Sequence, residues 1–323
     1  MNIRLLPDND HYSLEMQEMV IPCLEERKRG GSFEAAPHEQ IYFEYYRADN
    51  AKGTIVMLHG FSESVDKFRE TVWYFLQNGY NVWLMEHRGH GRSFRCVKDP
   101  SLVHIPDYRS MLRDLRYFVS KIVIPAKTTR DKPLYLFAHS MGGGLGACYL
   151  ERYPDDFSKA ILSSPMLEID ASGIPVWLMR LFANANILLQ KGDTPLPGSS
   201  GYQSDPDFEN SCSNCLARYT WYHNYTNANP QFQTCVVSIQ TALQFLKITK
   251  EATNPKNCER VKANVLLLQA GKDTTVRPGG QEAFIRQIGK HGRLVHFANA
   301  KHEIFMGQNA DLEAYYREIF SFL

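Results

Sequence analysis

The chain has 323 residues, 44% of them hydrophobic and 22% charged, with a formal net charge of +1 at pH 7. This is the composition of an ordinary globular protein, large enough for one big domain or two modest ones. Near-neutral charge gives no electrostatic pull toward nucleic acid, so no nucleic-acid partner is expected.

The N-terminal stretch MNIRLLPDNDHYSLEMQEMV has no basic segment followed by an apolar core, and no secretory signal is expected there. From Gln40 onward the pattern alternates. QIYFEYYRA reads as a strand, and GTIVMLHG as a more buried strand ending at His59-Gly60. DKFRETVWYFLQN places Phe68, Val72, Phe75 and Leu76 on one helical face, with Gly79 as its stop. YNVWLME is a strand, YRSMLRDLRYFVSKIV a strongly amphipathic helix and PLYLFA a strand; Met141 to Arg152 is a helix and KAILSS another strand. The rhythm breaks after Pro165 and returns at NVLLLQAGKD, followed by a helix around Gln281–Ile288, the strand RLVHFA and a last helix from about Ala310.

Near-continuous apolar strands separated by amphipathic helices predict an α/β fold with a mostly parallel, doubly wound sheet. The break predicts an inserted, mainly helical lid. The expected organisation is a core over residues 1–165, an inserted cap or lid over 166–250, and the rest of the core over 251–323. The most apolar window, Ile174–Leu189, is interrupted by Arg180, Asn184 and Asn186 and is too short to span a bilayer. It is expected to pack down over the active site, with contact to a membrane surface as a second, compatible reading. The seven cysteines are odd in number and irregularly spaced, which fits a reduced, cytoplasmic setting, peripheral to a membrane at most.

The stretch LFAHSMGGGLG places Ser140 where a parallel strand turns into a helix, above the carboxyl edge of the sheet where such folds bind their ligands. A turn that sharp needs small residues two positions to either side, and Ala138 and Gly142 supply them. A serine needs a base and an orienting acid to become a nucleophile. Asp273 lies just past the strand NVLLLQA, and His302 follows the strand RLVHFA. Both reach the same sheet edge, in the chain order Ser, Asp, His. His302 is the candidate base, and Asp273 the residue that fixes its tautomer. The candidate oxyanion donors are the backbone N–H groups of Met141, directly after Ser140, and of Phe61, in the loop after His59-Gly60. A phosphate-binding reading of the glycines lacks the lysine or the dinucleotide spacing it needs.

The chain resembles α/β-hydrolases of the lysophospholipase and monoacylglycerol lipase group. The matching pieces are LHGFSE (Leu58–Glu63), EHRGHGRS (Glu86–Ser93), FAHSMGGGLG (Phe137–Gly146), SSPM (Ser163–Met166), LLLQAGKDTTV (Leu266–Val276) and AKHEIF (Ala300–Phe305). The wording AHSMGG and HEIF is most similar to the bacterial lysophospholipase branch. The resemblance covers residues 40 to 320 outside the lid. It implies a serine hydrolase that needs no metal or organic cofactor and cleaves a small-molecule lipid ester such as a lysophospholipid or monoacylglycerol. Two positions depart from the family pattern: Ala138 stands where glycine is frequent, and Glu86 where aspartate is usual.

Other signals carry less. Cys212 and Cys215 form a C-x-x-C pair with His223 and Cys235 downstream, but the spacing matches no common zinc module, and no metal is expected. RGHGRS has Phe94 where a dinucleotide motif needs its third glycine, and His87 and His90 read as structural residues. Short-chain or feruloyl esterases use the same machinery with a different lid. A proline-releasing aminopeptidase of this fold needs lid carboxylates, for which Asp205, Asp207 and Glu209 are the candidates.

Overall fold

The computed structural model describes residues 4–126, 128–170 and 173–323, so the first three residues of the N-terminal stretch and residues 171–172 of the expected insertion lie outside the description. Helix α1 (Tyr12–Glu15) runs through a π-helical stretch, Met16–Val20, into α2 (Ile21–Arg27). Tyr12, Met16, Val20 and Leu24 recur every fourth residue and are all buried. The widened middle turn keeps that four-residue ladder on a single face, which a regular helix would let drift. The chain then forms a hairpin of β1 (Lys28–Ala36) and β2 (Glu39–Tyr46), turning at His38 with φ 66°. Sequence periodicity predicts neither these helices nor β1.

The remaining strands are β3 (Gly53–Leu58), β4 (Tyr80–Met85), the short β5 (Leu102–Val103), β6 (Leu134–His139), β7 (Lys159–Ser163), the short β8 (Val236–Val237), β9 (Asn264–Ala270) and β10 (Gly292–Phe297). Among the described residues, eight of the ten strands form one sheet in the order β1-β2-β4-β3-β6-β7-β9-β10. It is parallel from β4 to β10, and β2 runs antiparallel to both of its neighbours. Strand side chains alternate between two cores. Val56, Leu58, Leu136 and Ala138 enter one, while Ile55, Met57, Tyr135 and Phe137 enter the other. The sheet is therefore covered on both faces, as the unbroken apolar runs predict. On one side lie α4 (Tyr108–Tyr117), α5 (Ser140–Arg152) and α10 (Pro278–Ile288); on the other lie α3 (Arg69–Gln77) and α11 (Asn309–Phe322) with the N-terminal helices.

Between β7 and β9 the chain forms α6 (Val176–Leu188), α7 (Leu216–Ala228), α8 (Ile239–Ala252) and α9 (Pro255–Cys258). Helix α8 is built into the core: Phe245, Ile248 and Ala252 join the cluster around α4 and α5. Helix α7 is pinned by Arg218, wholly buried, whose guanidinium meets the Glu70 carboxylate at 2.8 Å. Helix α6 departs from expectation. Ile174–Leu189 does not pack down as a buried cap: Ala183 is the buried residue of α6, and Trp177, Leu181 and Leu188 are 68%, 59% and 84% exposed. The helix touches α8 through Ala183 and Ile187, against Ile239 and Leu243. One narrow stripe is covered, and the remaining apolar side chains face outward. Among the described residues no helix is long and apolar enough to cross a membrane, and all seven cysteines are free thiols.

Candidate active site

Strand β6 ends at His139, and α5 begins at Ser140, which has φ 51°. A left-handed backbone is unusual for a residue with a side chain and is tolerated where the surroundings enforce it. Here the enforcement is close packing. A Cβ at Gly142 would sit 2.5 Å from the His59 carbonyl oxygen, so only glycine lets the new helix pass the end of β3. The Ser140 carbonyl accepts from Met166 N–H at 2.8 Å, which fixes the elbow from the far side.

Of the two residues predicted at later strand ends, His302 reaches this serine and Asp273 reaches His302. His302 Nε2 lies 2.8 Å from Ser140 Oγ, and His302 Nδ1 lies 2.6 Å from Asp273 Oδ2. The other Asp273 oxygen, Oδ1, accepts the N–H groups of Thr275 at 2.8 Å and Val276 at 3.0 Å. Burial opposes ionisation of Asp273, but its hydrogen bonds and the neighbouring imidazole win and hold the carboxyl below the usual range. Ser140 and His302 are both buried.

Strands β3 and β6 are paired with Leu58 opposite Ala138, so the loops that follow them rise side by side. This brings Phe61, just past Gly60, to the same edge as Met141 in the first turn of α5. Helix first-turn N–H groups have no partner within the helix, and Met141 carries one of them. The Phe61 ring packs edge-on against Phe245 of α8, 5.6 Å between centroids.

Sequence reasoning missed a buried charged group behind this edge. Glu63 Oε2 accepts the Gly60 N–H at 2.5 Å and lies 3.1 Å from His139 Nδ1. Glu63 Oε1 is 3.2 Å from Lys67 Nζ, which also meets Glu303 Oε1 at 2.5 Å. A carboxylate three residues after a turn glycine, with a lysine four residues further on, is the local signal that could have found it. His59, His87 and His90 cluster beside the same loop, with ring centroids 4.5 and 5.1 Å from His59. Burial pushes the His59 imidazole down to about 4, and His87 and His90 well below the ordinary range. Glu86, where the family usually has aspartate, is buried, and its Oε1 takes Arg92 Nη1 at 2.6 Å. Its longer arm is accommodated because residue 91 is glycine, at φ 50°, where a Cβ would fall 2.3 Å from Glu86 Oε2.

The C-x-x-C cysteines point apart. Cys215 lies 3.5 Å from Arg218 Nη1, and Cys212 lies 3.7 Å from Thr275 Oγ1. Asp205, Asp207 and Glu209 are exposed, and Asp207 is engaged by the Asn210 amide at 2.9 Å.

Comparison with known proteins agrees with this architecture. A protein named probable lysophospholipase L2 from Haemophilus influenzae is 27% identical over 250 residues, 77% of this chain and 77% of its own. A monoacylglycerol lipase from Mycolicibacterium smegmatis is 24% identical over 85% of this chain and 90% of its own. Among solved structures, a soluble variant of the Saccharomyces cerevisiae monoglyceride lipase matches with a TM-score of 0.72 and 18% identity, covering 91% of this chain and 93% of that one. The fold is the α/β-hydrolase fold expected from the sequence. Residues 49–309 match the sequence profile of the Hydrolase_4 family, described as serine aminopeptidase, S33, and the chain belongs to that family of hydrolases.

Proposed function

We propose that the chain is a serine carboxylic ester hydrolase acting on single-chain lipid esters, lysophospholipids or monoacylglycerols. The observation that carries the proposal is the continuous relay from Ser140 Oγ through His302 to Asp273, at 2.8 and 2.6 Å. In this reading His302 Nε2 takes the Ser140 proton as Oγ attacks the ester carbonyl. The Asp273 carboxylate holds the proton on Nδ1, so that Nε2 is the free base, and it stabilises the imidazolium that forms. The N–H groups of Phe61 and Met141 receive the oxyanion of the tetrahedral intermediate. His302 returns its proton to the departing alcohol, leaving an acyl group on Ser140 Oγ. Water then attacks that acyl group with His302 again as base, and the fatty acid leaves.

Two features support a lipid substrate. Relatives named as lysophospholipase and monoacylglycerol lipase align over most of the chain. Helix α6, between β7 and β9, also presents large apolar side chains that are uncovered, a surface suited to the interface where single-chain lipids reside. A peptidase reading has the family's description in its favour. The exposed position of Asp205, Asp207 and Glu209 gives it little to hold a substrate ammonium.

The test is a hydrolysis profile on purified protein with short and long nitrophenyl esters, a monoacylglycerol, a lysophosphatidylcholine and a proline arylamide, each beside Ser140→Ala. Long-chain or lysolipid turnover that vanishes in the variant is the expected result. Turnover confined to acetate or butyrate esters removes the lipid assignment, arylamide turnover favours the peptidase, and activity surviving in Ser140→Ala removes the nucleophile.

A further inference from the structure

Three residues stand next in sequence to members of the candidate machinery. Gly60 precedes Phe61, His139 precedes Ser140, and Glu303 follows His302. All three converge on one buried ion pair. Glu63 binds Gly60 N–H at 2.5 Å and His139 Nδ1 at 3.1 Å, and Lys67 joins Glu63 at 3.2 Å to Glu303 at 2.5 Å. The side chains of Glu63 and Lys67 are 3% and 9% exposed. Burial works against the Glu63 charge, but His139 and Lys67 overcome it and hold the carboxyl well below its ordinary range. The packing is close: a Cβ on Gly60 would fall 2.9 Å from Glu63 Oε2 and 3.0 Å from Ser140 Cβ.

A buried ion pair is weak evidence of a contribution to stability, because desolvation offsets most of the attraction. The geometry points to another use. An oxyanion donor works only if it is aimed at the place where charge develops, and it must be held there before the reaction. The Phe61 N–H sits on a loop whose preceding amide is tied to Glu63. The same carboxylate is tied to the residue before the nucleophile and, through Lys67, to the residue after the base. We infer that Glu63 is a positioning residue: it sets the Phe61 N–H relative to Ser140, and Lys67 extends that alignment to the segment carrying His302. The inference rests on the proposal that Ser140 and His302 are nucleophile and base.

The experiment compares wild type, Ser140→Ala, Glu63→Gln, Glu63→Asp and Lys67→Met as full-length protein. Steady-state kinetics on nitrophenyl butyrate are read beside the inhibition constant of an alkyl trifluoromethyl ketone, whose adduct carries an oxyanion. Glu63→Gln is expected to lower kcat by about ten- to a hundredfold with KM little changed, because the loss falls on the transition state. Ketone affinity should fall by a similar factor. Glu63→Asp should recover part of both, and Lys67→Met should move both in the same direction by less. A residue that only supports the fold would lower the active fraction and leave the inhibition constant where it was. Unchanged kcat and ketone affinity in Glu63→Gln, with an active wild type, overturns the positioning role alone. If the Gln variant does not fold, an unchanged inhibition constant in Lys67→Met overturns it equally. A wild type without Ser140-dependent turnover overturns the catalytic reading and the positioning role with it.

Discussion

Asp273 divides its two oxygens between two tasks: Oδ2 meets His302 Nδ1 at 2.6 Å, while Oδ1 accepts the backbone N–H groups of Thr275 and Val276. An aspartate after a strand is ordinarily a turn residue, and a buried aspartate beside a histidine is ordinarily an orienting acid. This one is both. Asp273→Asn therefore separates the tasks. An amide oxygen still accepts the two backbone donors, so the loop and the melting temperature should hold. The amide nitrogen then faces His302 and favours the wrong tautomer, and kcat should fall by about 10⁴. Asp273→Ala loses both, with a comparable rate loss plus a destabilisation of about 1 kcal/mol from the orphaned turn donors. Equal melting temperatures for Ala and Asn would show that the turn contacts contribute nothing.

His59, His87 and His90 are expected to make the fold sensitive to mild acid. Burial depresses all three, His59 to about 4 against an ordinary histidine near 6.5. As pH falls below about 6.5 the unfolded chain takes up protons that the folded chain refuses, so stability is lost toward pH 4. Both His87 ring nitrogens are buried without a hydrogen-bond partner among the described residues. Replacing that ring with Phe removes a desolvation cost and a titrating group together. Melting temperatures at pH 7.5 and 5.0 should differ less in His87→Phe than in wild type. An identical difference would show that His87 does not contribute to the acid response.

Glu151 makes the opposite prediction. It is 1% exposed on α5, its Oε2 has no partner among the described residues, and burial pushes its carboxyl up to about 8. A raised carboxyl keeps its proton in the folded state, so its contribution is present below about 4.5 and is lost as pH rises toward 8. Glu151→Gln keeps the shape and removes the titration. It should stabilise the protein by a few kcal/mol, on the order of 4 at most, at pH 8 and by less than about 1 kcal/mol at pH 5. Thermal denaturation at both pH values decides it, and a variant destabilised equally at both would show that the carboxylate is needed.

The sheet, the strand-to-helix elbow and the order Ser140, Asp273, His302 were legible because each follows from local patterning: apolar runs, small residues around a turn, polar residues just past strand ends. The N-terminal elements were not. The four-residue ladder from Tyr12 to Leu24 matches a helix with a π-helical middle rather than a regular one, and Lys28–Ala36 is a polar edge strand carrying Gly30 and Gly31. The group formed by Glu63, Lys67, His139 and Glu303 was hidden for a different reason. Its members are up to 240 residues apart in sequence and meet only when three strand ends are brought together. Hydrophobicity also misled at Ile174–Leu189, because an apolar run signals removal from water without saying whether protein or another phase will cover it.

That uncovered run yields the last prediction. Trp177 and Leu181 are more than half exposed, so replacing both with Ser removes little packing and should leave the melting temperature unchanged or higher. If α6 rests on a lipid interface, each large apolar side chain contributes about 1.5–3 kcal/mol when fully buried there, and the double variant should bind vesicles at least tenfold more weakly. The comparison is sedimentation with zwitterionic phosphatidylcholine vesicles beside turnover of a soluble and a vesicle-borne ester. With a net charge of +1, binding should change little with salt, because apolar burial rather than attraction to headgroups drives it. Turnover of soluble nitrophenyl butyrate should persist in the double variant while turnover of vesicle-borne substrate falls. Loss of both together would mean that α6 acts on the active site itself, and retention of both would leave its exposed side chains without a lipid role.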